Sequence, residues 1–584
     1  MDSSMADPLL ALVSPFRAAI ARAFGPEHEH FDPALRRSDR ADYQANVALA
    51  LCKVVGGRPR DVASAIVQHL DVAHMVQHVE IAGPGFINLT LDANFLSESV
   101  SQLVRDSRLG VSPAAVRETV VIDYSSPNVA KEMHVGNLRS TIIGDALSRV
   151  LEDVGHRVIR QNHLGDWGTP FGMLIEHLLD IGAAADDGGK DEPSITDLSA
   201  FYRQARAKFD TDPGFAERAR RRVVLLQGGD ETTLAQWRTL VDASKRYFAA
   251  IYDALSVKLT DRDIAGESLY NPMLPEVVAE LERKGLTSLS DGALCVFPPG
   301  FPGRDSEPLP LIVRKQDGGY GYATTDLAAI RYRVATLGAQ RVIYVVGAPQ
   351  SQHLAMVFKT AEMAGWLVPP ARAEHVAFGS VLGPDRKMFK TRSGESVRLI
   401  DLLDEAKERA LAIVTEKNPS LDEGARAAVA RAVGIGAVKY ADLSSDRIKD
   451  YMFDWSRMLA FDGNTAPYLQ YAHARISSIF RRGDVSPTEF GPITLREPAE
   501  RALGLEILGF GTVVHDVAAT LQPHRLCTYL YGLSTAFSAF YEACPVLKAS
   551  SESERDSRIS LSSLTARVLA HGLDLLGIEV PERM

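Results

Sequence analysis

Two short segments of the sequence carry side chains that can bind phosphate. His134, Gly136 and Asn137 lie in HVGN, directly before an amphipathic stretch. Lys387 and Lys390 lie far downstream in DRKMFKTRSGE. Glycine lets a backbone approach a ligand closely, the first turn of a helix offers N–H groups, and imidazole, amide and ammonium groups donate to phosphate oxygens. Together the segments predict a site for a polyphosphate whose leaving group gains negative charge.

Taken separately, each segment has an ordinary explanation. A lone histidine is most often structural, and a basic loop is most often a solvated surface. The sequence lacks both GxxxxGK[ST] and GxGxxG, so neither a P-loop nor a dinucleotide fingerprint competes for the phosphate role. Lys131, three residues before His134, is either a further cation at the phosphates or a surface lysine.

The surrounding pattern predicts that HVGN lies at the edge of a parallel sheet. TVVIDYS is a short apolar run typical of a buried parallel strand. After HVGN the apolar residues recur with the period of a helix, and HRVIRQNH then predicts the next strand. This order is a βαβ unit, in which ligands bind at the carboxyl ends of the strands.

The rest of the chain predicts three domains. DYQANVALALCKVVG is expected to be a helix and HVEIAGPGFINLTL two strands, which gives an N-terminal α+β module at 1–112. PLIVR, RVIYVVG and HVAFGSVLG predict further parallel strands of a Rossmann-like α/β catalytic domain at 113–455, with an insertion of charged helices at 183–307. Helical periodicity then continues through an all-α C-terminal domain at 456–584.

Composition is that of an ordinary globular protein. The 584 residues exceed what one core organises, and the hydrophobic and charged contents of 46% and 24% are average. No run of 18 apolar residues and no leader-like N-terminus is present, so we expect a cytoplasmic protein. The four cysteines are far apart and form no CxxC, so we expect reduced thiols and no protein-bound metal. The net charge of −10 argues only mildly against a polyanion partner.

Two carboxylates accompany the phosphate-binding segments. Asp123 ends the strand before HVGN, and Asp326 follows Tyr322 by four residues, which places both on one face of a helix. Planar carboxylates are the partners that a guanidinium group prefers. Asp326 has an ordinary alternative as a helix N-cap. His163 and Asp166 in NHLGDWG either line the same crevice or form a turn.

At this point the sequence resembles a known family. HVGN resembles the HIGH motif of class I aminoacyl-tRNA synthetases, and KMFKT resembles their KMSKS motif. SSPNVAKEMHVGNLRSTIIGDAL, NHLGDWGTPFGMLI, FDGNTAPYLQYAHARI and the final PERM are similar to the arginyl-tRNA synthetases of that class. Asn137 stands for the second histidine of HIGH and keeps a donor without charge. Phe389 and Thr391 stand for the serines of KMSKS, and Phe389 cannot form a side-chain hydrogen bond.

The resemblance implies a class I arginine–tRNA ligase that uses L-arginine, ATP with Mg²⁺, and tRNA(Arg). We take it to be a monomer. The implied ATP-binding residues are Lys131, His134, Gly136, Asn137, Lys387 and Lys390, of which His134, Asn137, Lys387 and Lys390 are the catalytic ones. The implied arginine-binding residues are Asp123, Asn128, His163, Tyr322, Asp326 and Gln350. The family's substrate-binding glutamine aligns either with Gln350 or with Met356.

The resemblance also implies two surfaces for tRNA. The N-terminal module is expected on the tRNA elbow and the helical domain on the anticodon. Aromatic side chains beside cations suit unstacked bases, although aromatics at helical spacing are more often core. The predicted RNA contacts are Tyr451, Trp455, Tyr468 and Arg475. Arginine activation is expected to require tRNA, as is typical of the family.

Three alternatives stay open on the sequence alone. Lysine shares the charge of arginine but lacks its planar fork, so it is the closest competing substrate. A different nucleotidyltransferase would form an adenylate without RNA, and the long helical third of the chain argues against it. A non-catalytic tRNA-binding relative would have lost His134 or the lysines of KMFKT, and all three residues are present.

Overall fold

The computed structural model describes residues 7–186, 198–303, 307–383, 385–387, 389, 397–486 and 491–584. Its N-terminal part is a four-stranded sheet in the order β1-β2-β4-β3, with every neighbouring pair antiparallel. The elements are α1 (Pro8–Phe24), β1 (Leu35–Arg37), β2 (Tyr43–Ala45), α2 (Val47–Val55), α3 (Pro59–Gln68), β3 (Val76–Ala82), β4 (Phe86–Leu91) and α4 (Ala93–Arg105).

The predicted hairpin in this part is confirmed, and the predicted helix is only partly right. HVEIAGPGFINLTL forms β3 and β4, paired through the register Ile81 to Ile87. DYQANVALALCKVVG does not form one helix, because Tyr43–Ala45 is a strand and the helix begins at Val47. The strand lies inside the sheet, between β1 and β4, and all its residues are buried. Pairing with both neighbours therefore makes Tyr43–Ala45 a strand, and the helical pattern of the following alanines and leucines takes effect only from Val47.

The middle of the chain holds most of the secondary structure. Its elements are β5 (Thr119–Asp123), α5 (Val135–Asp153), β6 (Arg157–Gln161), α6 (Pro170–Asp186), α7 (Leu198–Thr211), α8 (Pro213–Gln227), α9 (Glu231–Ala254), α10 (Glu267–Tyr270), α11 (Leu274–Arg283), β7 (Thr287–Ser290), β8 (Ala293–Val296), β9 (Leu311–Arg314), α12 (Tyr322–Ala335), β10 (Arg341–Tyr344), α13 (Ser351–Met363), β11 (Arg372–His375), β12 (Val381–Leu382), α14 (Leu399–Lys417), α15 (Glu423–Leu443), β13 (Tyr451–Met452) and α16 (Trp455–Met458).

The central sheet confirms the predicted α/β architecture. Its four strands lie in the order β11-β10-β5-β6, and all pairs are parallel. The chain passes from β5 through α5 to β6, which is the predicted βαβ unit. Asp123, at the end of β5, aligns with Tyr344 on one side and Gln161 on the other. The carboxyl ends of these strands form the edge where ligands are expected.

Two strand predictions differ from the structure. PLIVR forms β9, but β9 pairs antiparallel with β8 in a separate sheet of order β7-β8-β9. The prediction of a parallel strand there is wrong, since a short apolar run does not encode the direction of its partner. HVAFGSVLG supplies only the end of β11, at His375, and then β12, which pairs parallel with β13.

The C-terminal part is helical, as predicted. The elements are α17 (Ala466–Gly483), α18 (Pro498–Leu508), α19 (Phe510–Thr520), α20 (His524–Ala543) and α21 (Glu552–Leu575). The stretch Pro498–Thr520, which contains α18 and α19, passes a length and composition test for a membrane span among the described residues. Its window is 56% buried against the protein, as for core helices.

Candidate active site

The loop between β5 and α5 has a backbone that most residues avoid. Ser125, Ser126 and Ala130 have φ of 70°, 49° and 60°, in the left-handed region where a Cβ is crowded. Side chains hold this conformation, because Ser140 Oγ accepts from the Ser125 N–H at 2.9 Å and Asn162 Oδ1 accepts from the Ser126 N–H at 3.0 Å. Backbone strain held this firmly clusters at ligand sites.

The HVGN segment caps α5. His134 is the N-cap residue, and its Nδ1 accepts from the Gly136 N–H at 3.0 Å. Asn137 Oδ1 accepts from the His134 N–H at 3.0 Å, which completes a capping box. Amides of the first turn are also used, since Val135 N donates to Val397 O at 3.1 Å. A phosphate bound here would meet the side chains and the positive end of the helix dipole rather than a row of unpaired amides.

The surroundings of His134 set its charge, and the cap sets which ring nitrogen carries the proton. Burial, together with the Lys131 ammonium, lowers the pKa of His134. The imidazole is therefore neutral at pH 7, and a neutral ring that accepts at Nδ1 carries its proton on Nε2. The Nε2–H group of His134 is left to donate to a ligand.

Gly136 is needed for this arrangement. A Cβ at this position would lie 2.7 Å from Cε1 and 2.8 Å from Nδ1 of His134. Contacts this short force the ring to move, so the third residue of HVGN has to be glycine if the imidazole is to stay in the cap.

A cavity of about 240 Å³ adjoins the cap. His134 and Gly136 line one side, and the other sides include Gly347 after β10, Gly379 before β12, and Phe389 of KMFKT. The two motifs, which are about 250 residues apart in the sequence, therefore border one crevice, as the sequence predicts. Pockets with mostly apolar walls and a few placed polar groups suit part of a nucleotide.

The predicted cations lie in three situations. Lys387 is exposed on a turn after β12, two residues before Phe389, which lines the crevice. Lys390 lies outside the described residues. Lys131 is exposed, and its Nζ lies 4.7 Å from the centre of the Tyr202 ring on α7. A cation–π contact of this kind holds the ammonium beside His134 without removing its charge.

Asp123 is already paired inside the protein. Arg333 of α12 donates from Nη2 to Asp123 Oδ2 at 2.7 Å, and Ser126 Oγ donates to Oδ1 at 2.9 Å. Arg333 is fully buried and also donates to Gln161 Oε1 at 2.6 Å. A carboxylate has about four lone-pair sites, so Asp123 keeps acceptor capacity, but its charge is shared with Arg333. Its direct contact with a substrate guanidinium stays a prediction.

Several buried polar atoms around this pair lack a hydrogen bond of normal geometry. Among the described residues these are His163 Nδ1, Arg333 Nη1 and the hydroxyls of Tyr270 and Tyr344, and both hydroxyls interact with the Arg333 side chain. The His163 ring stacks on Tyr270 at 5.5 Å and 15°. Buried polar atoms are normally hydrogen-bonded, so a cluster of exceptions beside the strained loop marks a place for a polar ligand or water. His163 lies beside Tyr270 and Asp166, and its contact with the substrate stays a prediction.

Asp326 is presented on α12 as predicted. The helix is capped by Gly321, so Asp326 is not its N-cap. Asp326 Oδ2 lies 2.6 Å from His353 Nε2, and the ring of Tyr322 meets that of His353 edge-on at 4.8 Å. Tyr322 is 68% exposed, which leaves its ring and hydroxyl available. His353 therefore orients Asp326 toward the same space as Tyr322.

A third carboxylate, Glu267 of α10, was not singled out from the sequence. Burial, with the charges of Asp166 and Asp326 beside it, raises the pKa of Glu267 to about 7. Burial also raises the pKa of Asp166, which accepts from Ser268 N at 2.8 Å. The charges of Asp166 and Asp326 oppose the ionisation of Glu267, so a cation bound beside Glu267 would favour its ionised form. The acidic Glu267 in GES follows no motif, so only the fold reveals it.

The structure places Asn128 in the loop and leaves Gln350 at the surface. Asn128 is exposed and bridges to Gly165, where a Cβ would lie 2.2 Å from Asn128 Oδ1. Gln350 is exposed at the start of α13. Met356, the alternative position of the family's glutamine, is 6% exposed and packs in the core. From α13 it is His353, rather than either of these, that reaches Asp326.

One predicted RNA contact is corrected by the structure. Tyr451 is 8% exposed, and its ring lies 5.3 Å from the Arg139 guanidinium. Arg139 in turn pairs with Asp442, with Nε 3.2 Å from Oδ1. A buried ring offers no face to a base, so the prediction for Tyr451 is wrong. Trp455 is half-buried beneath Arg409 at 5.2 Å.

The other two predicted RNA contacts belong to an aromatic surface on α17 and α20. Tyr468 packs against Tyr531 at 5.7 Å, and Arg475 lies 4.3 Å from the Tyr541 ring. Tyr471, which the sequence analysis did not select, is 46% exposed between them. Aromatic rings beside a guanidinium offer a surface on which unstacked bases can lie.

No group of three His, Cys, Asp or Glu side chains placed to hold a metal ion occurs in the described part of the chain. The four cysteines are free thiols.

The chain matches three described families along its length. Residues 11–91 match the arginyl tRNA synthetase N terminal domain, residues 99–455 match the catalytic domain of class I (R) tRNA synthetases, and residues 469–584 match the DALR anticodon binding domain.

Similar proteins cover nearly the whole chain. The arginine–tRNA ligase of Thermobifida fusca is 58% identical over 99% of this chain and 100% of its own length, and that of Synechococcus sp. is 50% identical with the same coverage. Among solved structures, the arginyl-tRNA synthetase of Plasmodium falciparum has a TM-score of 0.83 at 29% identity, covering 99% of both chains. The Thermus thermophilus enzyme has a TM-score of 0.82 at 27% identity, covering 99% of this chain and 100% of its own. With a class I catalytic domain, an N-terminal domain and an all-helical DALR domain in one chain, this protein belongs to the arginyl-tRNA synthetase family.

Proposed function

We propose that arginine and ATP bind side by side along the carboxyl edge of the central sheet, and that arginine is then passed to tRNA(Arg). As a family member the chain is an arginine–tRNA ligase, a class I synthetase that uses ATP. The observation that carries the residue assignment is the convergence of HVGN and Phe389 of KMFKT on one crevice. The group of acids formed by Asp166, Glu267 and Asp326 supports a separate place for a cation.

The triphosphate lies between the cap of α5 and the turn that carries Lys387. The Nε2–H of His134 donates to a phosphate oxygen, which its lowered pKa and its bond from Gly136 support. The amide of Asn137 adds a neutral donor. Lys131, Lys387 and Lys390 neutralise the charge that develops on pyrophosphate.

The guanidinium of arginine lies against Asp326 and Tyr322. Asp326 is held by His353 and Tyr322 is exposed beside it, which supports a planar, hydrogen-bonded contact. Asp123 contributes its remaining acceptor capacity, and His163 borders the pocket. Asn128, on the loop before α5, binds the α-amino or carboxylate end of the substrate. Gln350 is retained only as a rim residue.

The chemistry needs no protein nucleophile. The arginine carboxylate attacks the α-phosphorus of ATP, a carboxyl–phosphate bond forms, and the bond to pyrophosphate breaks. A ribose hydroxyl of the terminal tRNA adenosine then attacks the activated carbonyl and AMP leaves. The side chains act by positioning both substrates and by stabilising charge on the phosphates. Losing one such contact costs about 3 kcal/mol of activation free energy, or roughly a hundredfold in rate.

ATP enters as its Mg²⁺ complex. The described lining of the 240 Å³ cavity holds no carboxylate, which supports an ion held by phosphate oxygens and water rather than by protein ligands.

The tRNA is held at both ends of the chain. The N-terminal module (1–112) binds the elbow, and the aromatic surface of α17 and α20, with Tyr468 and Arg475, binds the anticodon loop. Trp455, half-buried at the start of the helical part, lies beside the path of the RNA. The domains meet near 112 and 455, and the enzyme is a cytoplasmic monomer. Activation of arginine by ATP requires bound tRNA.

A charging assay tests the proposed substrate. The protein is given ATP, a mixed tRNA pool and each labelled amino acid in turn, and labelled tRNA is counted. Arginine alone should be loaded, with lysine at background because it cannot satisfy the acceptors that a guanidinium pairs. Loading of lysine in place of arginine refutes the pocket. Arginine-dependent ATP–pyrophosphate exchange without tRNA refutes the requirement for tRNA.

A further inference from the structure

Phe389 is the residue at which KMFKT departs most from its family motif, and the structure gives it a partner. Its ring stacks on Phe453 at 4.8 Å and 27°, and Phe453 meets Trp455 edge-on at 4.8 Å and 90°. We call Phe389, Phe453 and Trp455 the aromatic clamp. Phe453 is 2% exposed, so the stacked pair packs Phe389 against the core. Aromatic pairs in these geometries add to the free energy of burial.

The backbone around the clamp is tied to the same place. Phe389 N donates to Val381 O at 3.1 Å, and Phe453 N donates to Leu382 O at 2.9 Å. β12 therefore bonds on one side to the return of the KMFKT segment and on the other to β13 and the residues after it. The two phenyl rings meet because both backbones attach to this short strand.

Lys387 lies on the turn that the clamp closes. Gly383 N donates to Lys387 O at 2.8 Å, and Arg386 N donates to Gly383 O at 2.9 Å with Arg386 at φ 60°. The segment therefore leaves β12 at Gly383, turns at Arg386 and Lys387, and is fixed again at Phe389. If Phe389 is released, the second anchor of the turn is lost.

Phe389 and Phe453 differ in what they face. Phe389 borders the nucleotide crevice together with His134, whereas Phe453 is not part of its lining. Trp455 packs farther away, beneath the Arg409 guanidinium of α14 at 5.2 Å. The clamp thus runs from the crevice to Trp455, the first residue of the short helix α16.

We propose that Phe389 is a positioning residue that, through Phe453, holds Lys387 at the triphosphate and links that turn to Trp455. A packed phenyl ring does here, by anchoring, what the motif's serine does by hydrogen bonding. This inference rests on the proposed role of Lys387 at the phosphates. Because the clamp runs from the crevice to Trp455, ATP binding at the crevice changes the surroundings of the Trp455 ring.

The first test is ATP–pyrophosphate exchange with saturating tRNA. Phe389→Ala should raise the KM for ATP about tenfold and lower kcat, with the KM for arginine unchanged within twofold. Phe389→Tyr should restore the ATP KM, because it keeps the ring. Phe209→Ala removes a half-buried phenyl from α7 and is the matched control, which should leave all three constants unchanged.

A double-mutant cycle separates positioning from direct contact. Phe453→Leu, which keeps an apolar core residue, should reproduce the ATP effect although Phe453 does not line the crevice. The double variant should be no worse than Phe389→Ala alone, because both changes open the same contact. Additive effects overturn the clamp, since they mean that Phe389 acts on ATP without Phe453.

Trp455 supplies a second readout. ATP titration should change the intrinsic fluorescence of the unmodified protein, and this change should be lost in Trp455→Phe and in Phe389→Ala. A change that persists in Phe389→Ala overturns the link. Lys387→Ala distinguishes the two levels of the proposal. If Lys387→Ala weakens ATP binding and Phe389→Ala does not, the positioning role of Phe389 is refuted but the role of Lys387 at the phosphates stands. If Lys387→Ala has no effect, the role of Lys387 is refuted, and the positioning role of Phe389 is refuted with it.

Discussion

Replacing Asp326 by asparagine removes the charge that we assign to recognition of arginine while keeping the shape of the side chain. In the structure Asp326 is partly exposed, with 23% of its side chain accessible, and its only described side-chain partner is His353 at 2.6 Å. Asparagine can still accept from His353 through its carbonyl oxygen. The substitution therefore leaves the local packing intact and changes mainly the interaction with a bound cation.

The expected cost follows from the type of contact. A hydrogen bond to a charged group contributes about 1.5–3 kcal/mol, and a bidentate guanidinium–carboxylate contact lies at the upper end of this range. A loss of about 3 kcal/mol corresponds to a fall of roughly 150-fold in kcat/KM for arginine. The KM for ATP should not change, because the charge lies at the other substrate.

The assay is ATP–pyrophosphate exchange with saturating tRNA, measured against arginine concentration and then against ATP concentration. Glu362→Gln is the matched control, because Glu362 is an exposed carboxylate on α13, the helix that carries His353. The control should retain full activity. If Asp326→Asn leaves the KM for arginine unchanged, or raises the KM for ATP instead, Asp326 does not bind the guanidinium.

Three further predictions concern separate parts of the molecule. The KM for arginine should fall as pH rises through about 7, because a cation favours ionised Glu267, and Glu267→Gln should flatten this profile. Because the pKa of Glu267 is about 7 in the folded protein and 4.5 in the unfolded chain, the free protein should lose stability as pH rises from 4.5 to about 7, measured by denaturant unfolding. Gly136→Ala should lower kcat for exchange at least tenfold by displacing the imidazole, as about 1.4 kcal/mol suffices for this, whereas Gly424→Ala, at the same helix position in α15 with only a 3.4 Å neighbour, should not. Tyr471→Ala should raise the KM for tRNA about tenfold, since stacking one base contributes about 1–3 kcal/mol, without changing exchange at saturating tRNA. The first prediction is contradicted by an arginine KM of the unmodified protein that does not change with pH. The second is contradicted by an unchanged kcat in Gly136→Ala, and the third by an unchanged KM for tRNA in Tyr471→Ala.

The parts of the fold that follow from local pattern were predictable. Buried parallel strands are continuous apolar runs, so TVVID and RVIY were identified, and the helical period after HVGN located α5. Pairing direction is not local information, and PLIVR was therefore assigned to the wrong sheet. Likewise, the apolar side of DYQA could be buried by a helix or by a strand, and only its two neighbours in the sheet decide the matter.

The site shows the same division. His134, Gly136 and Asn137 lie within four consecutive residues, so their capping geometry is encoded locally. The ion pair of Asp123 with Arg333 joins residues 210 positions apart in the sequence, and no sequence motif predicts it. The residues that sequence reasoning missed, such as Glu267, gain their properties from burial beside other acids, which is a product of the fold. Tyr451 is predicted on the RNA surface because it is an aromatic residue in a stretch that also carries cations, and the sequence does not reveal that its ring is buried.

The most direct test of the account is a crystal structure of the protein with arginine and a non-hydrolysable ATP analogue. The account predicts that the guanidinium lies within hydrogen-bond distance of Asp326, and that the triphosphate lies between the imidazole of His134 and the turn of Lys387. A guanidinium bound away from Asp326, or a triphosphate that contacts neither His134 nor Lys387, would contradict it.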